Sequence, residues 1–86
     1  MNCMYHRLKI IEPFPDLILK GTFTDDSVRF YDVKSLLTRH EVYQDLVNIH
    51  HLFEQTHLDA NGYGASWNDN LDLDAEEIWV NGCEQL

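Results

Sequence analysis

Basic residues are scarce in this sequence. Six Lys or Arg stand against 15 Asp or Glu, and the formal net charge is −9. A surface of that sign repels nucleic-acid phosphates and anionic membranes, so neither is an expected direct partner. It suits solubility, or a basic protein partner. Cysteine is nearly absent too. Cys3 and Cys83 lie near opposite ends, which is neither a zinc spacing nor a disulfide framework. Free thiols in a reducing compartment are the expectation. No apolar run approaches the roughly 18 residues that cross a bilayer. Met1–Arg7 has no apolar core and no small-residue cleavage site, so the chain reads as cytoplasmic. Four glycines and two prolines form no linker and no phosphate-cradling loop. Ser27, Ser35 and Ser66 lack the flanking glycines of a nucleophile elbow.

What is present describes one small domain, residues 1–86. A core of this size specifies a fold but does not easily enclose a deep pocket, and a homodimer would add burial. Met4 to Glu12 reads as a strand with Met4, His6, Leu8 and Ile10 on one face, ended by Pro13-Phe14-Pro15-Asp16. Leu17–Phe23 and Val28–Tyr31 read as a hairpin around Thr24–Ser27. In the second strand Val28 and Phe30 are placed inward, Arg29 and Tyr31 outward. Asp32 reads as the N-cap of a short helix with Val33, Leu36 and Leu37 on its apolar side. Asn48 reads as the cap of one further turn through Phe53. A second hairpin joins residues 54–59 to 63–68 through Asn61-Gly62, which predicts a type I′ turn. Leu71–Val80 closes the domain as a helix, with Gly82 at its end. The expected fold is α+β: a small antiparallel sheet of two hairpins plus an N-terminal strand, with short helices packed on one side.

The densest chemistry lies in Ala65–Ile78, ASWNDNLDLDAEEI. A calcium loop starting at Asp59 has Asn61 at position three and Gly64 at position six. It has Tyr63 at position five and Asn70 where a bidentate Glu belongs, so it fails. A start at Asn68 fails because Leu73 replaces the glycine. As a helix start the stretch fits better. Asp74-Ala75-Glu76-Glu77 has capping-box spacing, and acids favour the positive end of a helix dipole. His6, His40, His50, His51 and His57 do not share a face at metal-ligand spacing, so exposed histidines and no metal are expected. A glycosidase carboxylate pair needs a cleft that a domain this small struggles to build. No cofactor motif is visible.

The order of these motifs resembles domain-of-unknown-function family 2442, a family of small bacterial domains. Leu19, Phe23 and Asp25-Asp26 match its first hairpin; Phe30, Asp32, Leu36 and Leu37 match the strand and helix that follow. Phe53, Trp67, Asp72, Leu73, Ile78 and Trp79 match the last part, so the resemblance covers about residues 4–80. Asp26 stands where the family has a hairpin glycine, and Trp79 where it has a final tyrosine. The resemblance implies an α+β fold and no established activity. Some members continue into a helix-turn-helix, which this sequence does not contain. Members often lie beside small toxin-like proteins, which implies an antitoxin or accessory role.

Two functions of different class follow. The first is a non-enzymatic interaction module for a basic partner, using the acidic surface and the outward aromatics Tyr31, Tyr43 and Tyr63. The second is a small-ligand or cation-binding module in which Trp67 supplies a stacking face and Asp69, Asn70 and Asp72, with Asn68, supply oxygens. No nucleophile–base pair is visible, so an enzyme is not expected.

Overall fold

The computed structural model describes residues 6–68 and 71–85. Two three-stranded antiparallel sheets share one core. In sheet 1, β1 (Leu8–Phe14), β2 (Ile18–Phe23) and β3 (Val28–Asp32) lie in the order β1-β2-β3. In sheet 2, β4 (His57–Leu58), β5 (Gly64–Asn68) and β6 (Leu71–Asp74) lie in the order β4-β5-β6. Between them run α1 (Lys34–Leu37), a 3₁₀ turn over Glu41–Gln44, α2 (Asp45–Asn48) and a 3₁₀ turn over Phe53–Gln55; α3 (Ala75–Asn81) follows β6. The α+β expectation holds, with two sheets instead of one and a sixth strand.

Alternation fixes which faces meet. In β2, Leu19, Gly21 and Phe23 are buried while the residues between them are half-exposed. Leu19 pairs with Tyr31 across the ladder, so both point to the core. In sheet 2, Ala65, Trp67, Leu71 and Leu73 point inward. Leu8, Val33, Leu36, Leu46, Leu52, Phe53, Ala75 and Ile78 complete the core. Burying each large apolar side chain stabilises the fold by about 1.5–3 kcal/mol. The Leu8 N–H donates to the Gly62 carbonyl at 2.7 Å and so joins the two sheets.

Several local expectations are corrected. The β3 faces are reversed: Tyr31 is 2% exposed, while Val28 and Phe30 are half-buried on the other side. The strand runs through Pro13 to Phe14, since β1 is an edge strand where a missing N–H breaks no ladder bond. A register shift between Leu8 and Ile10 inverts the alternation of β1, leaving Ile10 exposed and Ile11 packed on the core. Met4 and Tyr5 lie outside the described residues. Asn48 ends α2 instead of starting a turn. The Asn61-Gly62 turn is not type I′, because only Gly62 of the two has positive φ, +78°. Asp59 Oδ1 instead accepts the N–H groups of Asn61 and Tyr63, both at 3.1 Å.

The helix over 71–80 is half strand. Leu71-Asp72-Leu73-Asp74 alternates buried and exposed, and the helix begins only at Ala75. Asp74 is its N-cap by position, but its side chain makes no cap hydrogen bond. Gly82 is extended, not left-handed. It is needed because a Cβ there would lie 2.4 Å from the Ile78 carbonyl oxygen. Asp32 is not the N-cap of α1, which is Val33 by position, but its Oδ1 accepts the Lys34 N–H at 2.9 Å from one residue further out.

Candidate partner-binding surface

The charge is unevenly spread along the chain. Residues 1–32 hold four Lys or Arg against five acids, whereas residues 33–86 hold two against ten. Every basic side chain is already engaged within the chain. Lys9 pairs with Asp26, Lys20 with Glu12 at 3.9 Å, Lys34 with Asp32 at 3.0 Å, and Arg39 with Glu77 at 3.1 Å. The Arg7 guanidinium lies 5.3 Å from the Tyr63 ring centre and Arg29 4.1 Å from that of Trp79. His6 and His51 pair with Glu76 and Glu54. Among the described residues, Asp16, Asp25, Glu41, Asp45, Asp59, Asp72, Asp74 and Glu84 carry no such counter-charge.

Strand geometry turns two carboxylates to one side. Period-two alternation sends Leu71 and Leu73 inward, so Asp72 and Asp74 point out. α3 follows at once; Asp74 borders a cavity with His6, Tyr63 and Glu76, while Asp72, Asp74 and Glu77 all act on the Tyr43 hydroxyl. Tyr43, on the 3₁₀ turn, donates its hydroxyl to the Asp72 carbonyl oxygen at 2.7 Å. Burial raises the Tyr43 hydroxyl pKa, and Asp72, Glu77 and Asp74 raise it further, while Arg39 opposes them. The Tyr43 hydroxyl therefore reports the negative field of this surface.

Glu77 sits in a network of its own. One of its oxygens accepts the Tyr31 hydroxyl at 2.8 Å and an Arg39 N–H at 3.1 Å. Burial alone would raise its carboxyl; hydrogen bonds from Tyr31, Arg39 and Asn81 hold it below the usual carboxylate range. Burial, then the bond to Glu77, pushes the Tyr31 hydroxyl up to about 12. Tyr31, Asp32, Ser35, Arg39, Glu77 and Asn81 line a shallow cavity of about 340 Å³. Glu76 points elsewhere. Its carboxyl is lowered first by the backbone N–H of His6, whose ring stacks on Trp79 at 3.8 Å. His6 is thus half-buried, unlike the other four histidines.

The residues singled out from sequence do not form one group. Trp67 is 3% exposed, with its ring edge-on to Tyr43 and stacked near Phe53. It offers no face to solvent, and its indole Nε1 is buried with no hydrogen-bond partner among the described residues. Tyr31 is buried, not outward, and lines the cavity with its hydroxyl bonded to Glu77. Asp72 is exposed as a surface acid needs to be. Asp69 and Asn70 lie outside the described residues. Arg39, Asp74 and Glu77 were missed as surface groups. The L-D-L-D alternation was the available signal, since a helix would not turn those two acids to one side. Among the described residues, no group of three or more His, Cys, Asp or Glu is placed to hold a metal ion. No helix among them is long and apolar enough to cross a membrane.

The chain belongs to the family described as protein of unknown function (DUF2442), whose model matches residues 9–82. No curated protein and no solved structure matches it.

Proposed function

We propose that this member of the DUF2442 family is a non-enzymatic interaction module that takes a basic protein partner on the surface of β6 and α3. One observation carries the reading: all six Lys and Arg side chains are committed within the chain, while Asp72 and Asp74 project without counter-charges and act with Glu77 on the Tyr43 hydroxyl. Such a surface steers a cationic partner and gives specificity for it. Val42 is exposed next to Tyr43, whose hydroxyl bonds the Asp72 carbonyl, and supplies apolar contact near the acids. A small basic toxin-like protein is the kind of partner the family's neighbourhood suggests.

The test is capture from a native lysate on the immobilised chain, at low and at high salt, beside an Asp72→Asn/Asp74→Asn double variant. A basic protein held at low salt, released at high salt and lost by the variant is the expected result. Equal retention by the variant would show that binding uses another surface, and an empty capture at low salt would sink the reading.

A further inference from the structure

The outward face of sheet 1 breaks the rule that the outward face of sheet 2 obeys. An antiparallel sheet with one solvated side shows polar residues there. Sheet 2 does so: His57, Ser66 and Asp72 form one outward row. On sheet 1 the outward rows are Phe14-Ile18-Asp32, Glu12-Lys20-Phe30 and Ile10-Thr22-Val28, so five of the nine positions are large and apolar: Ile10, Phe14, Ile18, Val28 and Phe30. Ile10 is 48% exposed and the other four are half-exposed. None of the five packs against the core cluster, which is reached instead by Ile11, Leu17, Tyr43, Leu58 and Trp79. Phe14 and Phe30 meet edge to face at 6.1 Å on this outer side. Among the described residues this apolar face is not packed on the core, and Phe14 at its end borders a cavity with Phe53 and Glu54.

Its charges say what covers it. Glu12 and Lys20 pair across the middle of the face, and Asp32 at its rim pairs with Lys34, so the face is neutral on a chain of charge −9. A basic partner gains nothing here that the acidic surface does not give better. A second copy needs this kind of face, because two −9 chains meet favourably only where no net charge faces its like. The edges are closed to strand addition. Pro13 removes a donor from β1, and Cys83 exchanges both backbone hydrogen bonds with Phe30 of β3, at 2.7 and 2.8 Å.

We infer that the outer face of sheet 1 is a self-association surface, on which a second copy packs sheet to sheet about a two-fold axis. Three strands about 4.8 Å apart, each about 20 Å long, give a footprint of roughly 300 Å². That is well below the roughly 800 Å² per partner of a standard interface, so the dimer is weak and concentration-dependent. Salt strengthens it, since screening removes repulsion between the chains and leaves apolar burial intact.

Sedimentation velocity on the full chain, from micromolar to millimolar and at low and high salt, tests this. Self-association that grows with concentration and with salt is expected. Ile18→Lys and Ile18→Glu each weaken it at least about tenfold, or about 1.4 kcal/mol, and an equimolar mixture of the two restores it. Ile10→Glu, at the most exposed position, gives the same loss with an unchanged circular dichroism spectrum. A wild-type chain that stays monomeric throughout, association that salt dissolves, or Ile18 and Ile10 variants that associate as the wild type does, would each overturn the proposal. These outcomes are independent of whether any basic protein binds β6 and α3.

Discussion

Sheet 1 and sheet 2 have equal strand numbers and a common core, yet opposite outer surfaces. Sheet 1 shows apolar residues around a neutral Glu12–Lys20 pair. Sheet 2 shows Asp72 and Asp74, in the part of the chain that holds two basic residues against ten acids. The inner faces are alike because burial demands it, and many sequences satisfy that demand. The outer faces are free of it, so their difference is informative about partners. The two surfaces proposed for partners therefore lie on different sheets and do not overlap.

The sharpest way to break this comparison is to confuse the two sides of sheet 1. Leu19→Ala removes a fully buried side chain and costs about 2–5 kcal/mol. Its neighbour Ile18, which points out, costs no more than about 1 kcal/mol when cut to Ala, in the isolated chain. Urea denaturation of both variants reads the difference, and equal losses would mean that the outer face is core.

Tyr31 sharpens the comparison from the inside. Its hydroxyl bonds a carboxylate, so Tyr31→Phe costs about 1.5 kcal/mol at neutral pH, at the lower end for a charged partner because Arg39 and Asn81 still serve Glu77. The pH dependence has a definite sign. The hydroxyl is raised from 10.0 to about 12 in the folded chain, so the stability it supplies is whole below pH 10 and is lost as pH climbs from 10 towards 12. Tyr31→Phe removes most of that alkaline loss. Glu77 acts at the other end. Its carboxyl is lowered on folding, so its contribution is present above the ordinary carboxylate range and lost as pH falls through the lowered value. Denaturation midpoints against pH for the wild type, Tyr31→Phe and Glu77→Gln check both limbs; an unchanged acid limb in Glu77→Gln would contradict the network.

On the acidic side, Asp72→Asn/Asp74→Asn relieves repulsion and raises stability by about 0.5 kcal/mol at low salt, with the gain shrinking as salt is added. The corresponding pair on the neutral face, Glu12→Gln/Lys20→Gln, leaves stability within about 0.5 kcal/mol at either salt, since a half-exposed pair at 3.9 Å contributes little. A salt response of equal size from both pairs would mean that the field is not localised on sheet 2.

How much of this was legible in the sequence depends on the scale of the signal. Leu19 and Phe23 read correctly because an unbroken alternation of two covers β2. β3 read backwards because Val28, Phe30 and Tyr31 are all large and apolar enough for either side. Only the pairing of Leu19 with Tyr31 decides between them, and pairing is not local. The bulge at the start of β1 inverted Ile10 and Ile11 for the same reason. Asp72 was found as a surface acid, but Trp67 was placed beside it as a ligand platform. The chain direction that exposes one buries the other, and a strand read as a helix hides that.

The smallest predicted effect concerns the β2–β3 turn, where an aspartate stands in a conformation that favours glycine. Asp26 takes the left-handed conformation itself, with φ 71°, and its N–H donates to the Phe23 carbonyl at 2.9 Å. An L-residue pays about 1–2 kcal/mol there, least for Asp and Asn. Glycine would remove that strain, but it adds freedom to the unfolded chain and gives up the exposed pair with Lys9. These terms nearly cancel, so Asp26→Gly changes stability by less than about 0.5 kcal/mol and becomes the more favourable variant at high salt, where the ion pair is screened. Asp26→Asn keeps the conformation and loses only the pair, so it is near neutral. Asp26→Ala has neither compensation and is the worst of the three by about 1 kcal/mol. Thermal unfolding of the series separates backbone from charge: if alanine matched asparagine, the pair with Lys9 and not the left-handed turn would explain why aspartate is tolerated there.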